Sequence, residues 1–323
     1  MGKASRTKQA PDRRARVAAQ RAAARRAEQR RRLYLAGGSI VVVILVVVGF
    51  VIFKGNGSPP KQASNGPTGA ALASVTKDVT GVPTSVLNKV GGGSISSSNF
   101  IPASQIAGAS QSDSPYFASV NGSPLTSGGK PEVLYVGAEY CPFCGAERWA
   151  MITALSRFGT FSGLTTIHSS SSDAYPNTPS WTFYGSTYTS KYINFTSVEE
   201  TKNYRQGNSS SSSVAYVTLQ TPTNAEQALV EKWDPGTGDG GAIPFIDIGN
   251  KYVQVGDLNT YGPQDLQGKS WSQVATAMSQ PSSAIAQGAD GSANYMTAAI
   301  CKLTNNQPGS ACTSVVKSLE AKL

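Results

Sequence analysis

The sequence predicts an α/β fold preceded by one transmembrane helix, and three stretches carry that prediction. Val133-Leu134-Tyr135-Val136 is an unbroken apolar run, the pattern of a strand buried on both faces, and it leads through Cys141-Pro142-Phe143-Cys144 into a helical pattern. Ile243-Pro244-Phe245-Ile246-Asp247-Ile248 alternates as a strand, turns at Gly249-Asn250 and continues as a second strand, Lys251-Tyr252-Val253. Residues 33–53 carry no charge, and at 1.5 Å per residue they span about 31 Å, close to a hydrocarbon core of about 30 Å.

Taken in order, the chain begins with its charge. Residues 1–32 hold 12 Lys/Arg against Asp12 and Glu28, a net of +10, whereas all 323 residues sum to +9, so the remainder carries −1. The basic character belongs to the tail, which argues against nucleic-acid binding by the main domain. The Arg/Ala-rich part of the tail, residues 13–32, is a good helix former with no apolar face, suited to lie near anionic lipid. Its position before an apolar span keeps it in the cytoplasm and sends the rest across the membrane. Lys54-Gly55-Asn56 is no cleavage site, Ala71-Leu72-Ala73 comes late for one, and Arg31-Arg32-Leu33-Tyr34-Leu35 only faintly matches a twin-arginine signal. The expectation is an uncleaved signal-anchor: a single-pass cell-membrane protein with a cytoplasmic N-terminus and an extracytoplasmic main domain. Residues 54–71, rich in Gly, Ser, Asn and Pro, are expected to be a flexible tether.

The main domain is expected over residues 72–323. Val75, Val79, Val82, Val86 and Val90 recur at helical spacing, interrupted by Gly81 and Pro83 and ended by Gly91-Gly92-Gly93. Asn121-Gly122 between Phe117-Ala118-Ser119-Val120 and Pro124-Leu125 predicts a hairpin leading into the central strand. Gly137-Ala138-Glu139-Tyr140 then turns the chain, and the two cysteines fall where the strand hands over to a helix. Cys141 is placed at the cap and Pro142 at the first helical position, where its missing N–H costs nothing. Unpaired N–H groups and the positive end of the helix dipole favour a thiolate, and in such sites a thiol that titrates near pH 8.5 falls to about 3.5–7.5. Cys144 lies one turn deeper. Cys141 is therefore the expected nucleophile and Cys144 the resolving thiol. A CxxC also fits a structural disulfide or half of a zinc site. Met151, Ile152, Leu155 and Phe158 make the apolar face of the helix, with Gly159 as its stop.

Leu164-Thr165-Thr166-Ile167-His168 reads as the next strand, and its His168 is the only histidine, which removes histidine-based zinc or triad chemistry. Residues 169–213 are rich in Ser, Thr, Tyr and Asn and look like an insertion, with a strand candidate at 191–195. Their aromatics, Tyr175, Trp181, Phe183, Tyr184, Tyr188 and Tyr192, either pack locally or line a partner groove. Tyr216-Val217-Thr218-Leu219 is a further strand, and Thr223 with Glu226 forms a capping box before a helix bearing Leu229, Val230 and Trp233. Trp271, Val274, Ala275 and Met278 mark another helix. Residues 292–323 make a helical hairpin, with Cys301 on one arm, Cys312 on the other and Asn305-Asn306-Gln307-Pro308-Gly309 between them. In an oxidising compartment these two cysteines are expected to bond as a structural disulfide. The rival is a second redox pair that relays electrons to Cys141 and Cys144. No metal or cofactor is expected.

Val136-Gly137-Ala138-Glu139-Tyr140-Cys141 resembles the strand-to-active-site run of the thioredoxin superfamily, with Tyr140 where a Trp often stands and Tyr135 where many members carry a buried Asp. The Ile243-Pro244 stretch resembles that superfamily's cis-proline hairpin. The resemblance implies a mixed central sheet flanked by helices, with the Ile243-Pro244 loop against the cysteines. Ile243, Pro244 and Tyr140 would then face an extended substrate. Over residues 72–323 the chain is more similar to a family of actinobacteria and archaea described only as a domain of unknown function, and more distantly to disulfide oxidoreductases of the DsbA class. Phe143 lacks the polar group that the His of those oxidases supplies, so a less oxidising potential is expected. The implied function is a membrane-anchored thiol–disulfide oxidoreductase acting on thiols or disulfides of exported proteins, recycled by a membrane redox partner. The alternative is a non-catalytic adaptor that presents the Tyr-rich segment and is braced by a Cys141–Cys144 disulfide.

Overall fold

A computed structural model describes residues 66–94, 106, 109–110, 116–234, 242–256 and 261–323. The expected cytoplasmic tail (1–32), membrane helix (33–53) and residues 54–65 of the tether lie outside the described residues, as do 235–241. Among the described residues no helix is long and apolar enough to cross a membrane.

The valine pattern at the start of the domain becomes two helices, α1 (Gly69–Thr80) and α2 (Thr84–Val90), with Val75, Val79, Leu87 and Val90 buried. Helix α1 begins inside the stretch expected as tether. Thr166 Oγ1 donates to Pro67 O at 3.2 Å, so residues 66–71 belong to the folded part. The central sheet follows. It contains β1 (Ala109–Ser110), β2 (Ala118–Val120), β3 (Thr126–Ser127) and β4 (Lys130–Gly137).

Strand β4 is the axis of the sheet, and its alternation explains why. Val133 and Tyr135 face one apolar core, and Leu134 and Val136 face the other, so the unbroken run is buried on both sides. It leads into α3 (Pro142–Leu155). The next strands, β5 (Gly159–Ser162), β6 (Thr165–His168), β7 (Pro179–Thr182) and β8 (Thr187–Ser190), form two separate antiparallel pairs, β5 with β8 and β6 with β7. Strand β9 (Asn194–Glu199) then returns to the central sheet and runs parallel to β4, with Glu132 opposite Asn194 and Gly137 opposite Glu199. Strands β10 (Thr201–Arg205) and β11 (Tyr216–Thr218) pair with each other, and helix α4 (Asn224–Trp233) covers the second core with Val230 and Trp233. Its capping box, Thr223 with Glu226, forms as expected.

Strands β12 (Phe245–Ile248) and β13 (Tyr252–Val255) complete the sheet, whose order is β1-β2-β13-β12-β4-β3 with β9 beside β4. The β4–β9 pair is parallel and the rest are antiparallel, so the fold is mixed α/β around a mixed central sheet. The chain ends with α5 (Pro263–Leu266), α6 (Trp271–Met278), a π-turn at Ala286–Asp290, α7 (Gly291–Leu303) and α8 (Ser314–Glu320). Trp271, Val274, Ala275 and Met278 are all buried, as their spacing requires.

Three expectations need correction. The Asn121-Gly122 hairpin does not form. Neither residue has the positive φ that a two-residue turn demands, and the tight turn falls instead at Gly128 and Gly129 (φ 54° and 77°), between β3 and β4. Gly122 is drawn to the β12–β13 turn: its N–H donates to Asn250 O at 3.2 Å and its carbonyl accepts from Lys251 Nζ at 2.8 Å. Residues 169–213 are not merely an insertion, because they contain β9. Its sequence, Asn-Phe-Thr-Ser-Val-Glu, is half-buried at four of six positions and so lacks the apolar run of an interior strand. Finally, α3 is not amphipathic. Its residues from Cys144 to Leu155 are buried all round, because α1, α5, α7, β7 and the π-turn pack over the side away from the sheet.

Candidate functional site

The strand-to-helix junction sets the geometry. Cys141 is the N-cap of α3, in extended conformation, and Pro142 follows at the first helical position. Cys141 Sγ accepts from the Cys144 N–H at 3.2 Å, while its carbonyl accepts from the Gly145 N–H at 3.0 Å. The sulfur thus replaces a missing carbonyl at the helix start, where N–H groups and the helix dipole favour negative charge. Cys141 is 5% exposed and Cys144 0%, and both are free thiols.

The two thiols are pushed apart in acidity. Burial pushes the Cys141 thiol up. The Cys144 side chain and N–H, the Arg148 charge and the Phe143 N–H outweigh it, so Cys141 titrates below an ordinary cysteine. Burial raises Cys144 well above its ordinary value, helped by its hydrogen bond to Cys141 and by Cys141's charge, against the opposing Arg148 charge and Ala138 N–H. A thiolate is therefore concentrated on Cys141, with a guarded thiol one turn below it.

The sheet brings the second expected element to the same place. Phe245 pairs with Val136, so the residues before β12 lie beside the end of β4. The Ile243–Pro244 bond is cis, and Ile243 O sits 4.0 Å from Cys141 Sγ. Gly137, at the end of β4, admits a close approach: a Cβ there would collide with the Tyr135 hydroxyl and stand 3.1 Å from Cys144 Sγ. Tyr135 is fully buried, its hydroxyl has no hydrogen-bond partner among the described residues, and burial drives its acidity down.

Tyr140 is half-buried beside Cys141 and stacks on Tyr216, with ring centroids 4.0 Å apart and planes 9° apart. Arg205 lies 3.9 Å from the Tyr216 centroid, and Phe143 meets Tyr175 edge-on at 5.8 Å. The aromatics of the polar segment therefore divide. Phe183 and Tyr188 pack with Phe161 and Phe195, Phe183 also meets Tyr135 edge-on at 5.3 Å, and Trp181 packs on Trp149. Tyr175, together with Tyr216 from β11, instead joins the rim of the cysteine site. His168 meets Trp271 at a tilt of 59° with centroids 4.6 Å apart, and burial lowers its pKa.

Cys141, Cys144, Ile243, Pro244 and Tyr140 are thus brought together. Cys301 and Cys312 bond to each other near the C-terminal end of α7, with Cα atoms 5.8 Å apart. Among the described residues no group of three or more His, Cys, Asp or Glu is placed to hold a metal ion.

Sequence reasoning missed Arg148 and Glu199, both fully buried. Arg148 Nε donates to Glu199 Oε1 at 2.8 Å and Nη2 to Oε2 at 2.5 Å; Nη2 also reaches Ala138 O at 2.8 Å, and Nη1 reaches Ser180 Oγ at 3.2 Å. Arg148 was findable: a charge four residues after Cys144, amid Ala146, Trp149 and Ala150, lies on the cysteine side of the helix. Nothing in the sequence near Glu199 marks it as its partner, 51 residues away.

The model of the family described as "Domain of unknown function (DUF929)" matches residues 116–302, which span the site and both of its strand elements. No curated protein and no solved structure matches the chain.

Proposed function

The chain belongs to the DUF929 family, whose description assigns no activity, and we propose from the site itself a thiol–disulfide oxidoreductase with a thioredoxin-like domain. One observation carries the proposal. The sulfur of Cys141 caps a helix and is made more acidic, while Cys144, one turn away, is made less so. A structural disulfide needs no such division, whereas sequential exchange does.

In the reducing direction the Cys141 thiolate attacks one sulfur of a substrate disulfide. A Cys141–substrate bond forms and one substrate thiolate leaves. Cys144 gives up its proton and attacks the Cys141 sulfur, forming the Cys141–Cys144 disulfide and releasing the second thiolate. Two electrons pass to the substrate, and the reverse sequence oxidises a substrate dithiol. The cis Ile243-Pro244 loop and Tyr140 flank the attacked sulfur and fit an extended cysteine-bearing segment lying across them.

The substrates we propose are thiols and disulfides of exported proteins, with a membrane redox partner that recycles the pair. Two features support that location: the uncharged stretch at 33–53 behind a basic tail, and the Cys301–Cys312 bond, which suits an oxidising compartment. A Ser64→Cys variant should react with an impermeant thiol reagent outside intact cells; protection there would overturn the topology.

The activity is tested by trapping. Cys144→Ser should accumulate mixed disulfides with exported proteins, because the resolving thiol is gone, and Cys141→Ser should trap none. If neither traps a partner and Cys141 resists alkylation at every pH below 9, the protein is an adaptor and the oxidoreductase proposal fails.

A further inference from the structure

A buried ion pair is an expensive way to hold a fold together. Replacing one by packed apolar residues is often neutral or stabilising, because desolvation offsets the attraction. Arg148 and Glu199 are each 0% exposed, so their presence under a thiol pair calls for a reason other than stability. Their geometry supplies one. Arg148 follows Cys144 by four residues and Cys141 by seven, which stacks all three along one side of α3. Its guanidinium binds the Ala138 carbonyl at 2.8 Å, and the N–H of that same residue faces the Cys144 sulfur. Its Cζ stands 5.7 Å from the centroid of the Tyr135 ring. Glu199, at the end of β9, takes the Nε–Nη2 edge of the guanidinium, and Phe183 N–H holds its Oε1 at 3.2 Å.

Building on the oxidoreductase reading, we propose that the Arg148–Glu199 pair sets the thiolate character of Cys141, Arg148 as the positioning residue that favours it and Glu199 as the opposing charge that limits it. In a dry interior a charge is weakly screened, so a cation on the cysteine side of the helix acts on both sulfurs. It lowers the pKa of both, in agreement with the geometry. At the rim a second cation, Arg205, lies beyond the Tyr140–Tyr216 stack, and the ionisable groups nearer the thiols carry no positive charge. They are Tyr135 from β4, Glu139 and Tyr140 from the loop, and Asp173 from the segment before β7.

The proposal makes a prediction that a merely structural pair does not: the two halves act in opposite directions. The readout is the pH dependence of Cys141 alkylation by iodoacetamide, in the protein reduced at the Cys141–Cys144 pair. Arg148→Met should move the profile up by about one pH unit, a roughly tenfold loss of thiolate at pH 6. Glu199→Gln should move it down by a smaller amount, because the Arg148 charge and not the Glu199 charge is among the leading influences on either sulfur. Arg148→Lys keeps the charge and should stay near the parent profile despite losing the forked hydrogen bonds. Should a single variant fail to fold, the double variant Arg148→Met/Glu199→Leu replaces both charges with apolar groups and should shift upward by the difference between the two effects, less than Arg148→Met alone. Profiles that coincide with the parent's, or that move the same way for Arg148→Met and Glu199→Gln, overturn the role of the pair while leaving the oxidoreductase standing. A parent Cys141 that is not alkylated at any pH overturns both.

Discussion

The molecule contains two cysteine pairs, and their surroundings differ more than their burial does. Cys141 and Cys144 are 5% and 0% exposed, and Cys301 and Cys312 are 0% and 3%. The first pair sits at a helix start, with N–H groups directed at sulfur and a buried arginine on the same side of the helix. The second links the last turn of α7 to the loop before α8, among Ile300, Ala311 and Val316 in the apolar core, with no N–H donated to sulfur among the described contacts. Burial therefore does not separate a chemical pair from a structural one. Placement against backbone donors and fixed charge does.

The sharpest way to break this comparison is to remove each pair in turn. Cys141→Ser should abolish disulfide exchange, a loss of all measurable turnover in an insulin-reduction or dithiol-oxidation assay, and leave the melting temperature little changed. Cys301→Ala/Cys312→Ala should do the reverse. It opens a loop with a sequence separation of 11 and should lower unfolding stability by about 3 kcal/mol on the chain-entropy model, with Cys141 alkylation unaltered. Loss of exchange at unchanged stability in the double variant would make the C-terminal pair an electron relay and erase the distinction.

A weaker effect sharpens the same contrast through pH. Glu147, on the cysteine helix, is fully buried; burial pushes its pKa up to about 8, against the hydrogen bond from Ser292 and the nearby Gln254 amide. Asp290, at the start of α7, is likewise raised by burial to about 8. Both belong to the contact between α3 and the C-terminal helices, since Ser292 Oγ donates to Glu147 Oε1 at 3.4 Å. A carboxyl whose folded pKa exceeds its unfolded value stabilises the fold fully below the unfolded value, near pH 4, and loses that contribution as pH rises through about 8. Urea unfolding should therefore show stability falling between pH 5 and pH 9, by about 1.4 kcal/mol for each pH unit a single group is out of balance. Glu147→Gln should flatten part of that slope without moving the alkylation profile of Cys141. An unchanged slope would place the pH dependence elsewhere.

What could be read in advance follows the same division between local and distant causes. The β4 run, the cap at Cys141-Pro142, the Ile243-Pro244 strand and the spacing around Cys301 and Cys312 are local patterns, each enforced by backbone geometry or by burial of one element. The parts that stayed hidden depend on partners far away in the chain. Strand β9 is polar because its half-buried positions tolerate Asn, Thr and Ser, so no apolar run announces it. Glu199 is meaningful only once β9 lies beside β4 and brings it to Arg148. Asn121-Gly122 carries a strong local turn signal that the β12–β13 turn overrides with its own hydrogen bonds. Tyr175 and the strand residue Tyr216 could not be placed on the rim until they were seen against Phe143 and Tyr140.

That last contact yields the smallest expected effect and tests whether the rim of the first pair recognises substrate. Tyr140 and Tyr216 stack at 4.0 Å, and Arg205 covers Tyr216 at 3.9 Å, so the outer ring is held in a fixed orientation on the rim beside Cys141. An aromatic contact is worth about 0.5–1.5 kcal/mol beyond its area, or roughly two- to twelvefold in binding. Tyr216→Leu keeps an apolar side chain but removes the stacked ring and the hydroxyl that accepts from Arg205 Nη2 at 3.0 Å. If the rim binds the extended segment, KM for a cysteine-containing peptide should rise by that factor while kcat and the pH profile of Cys141 alkylation hold. Arg148→Met, by contrast, should move the profile. An equal fall in kcat and a shifted profile in Tyr216→Leu would mean that the stack positions Cys141 itself, and the rim would then belong to the chemistry and not to recognition.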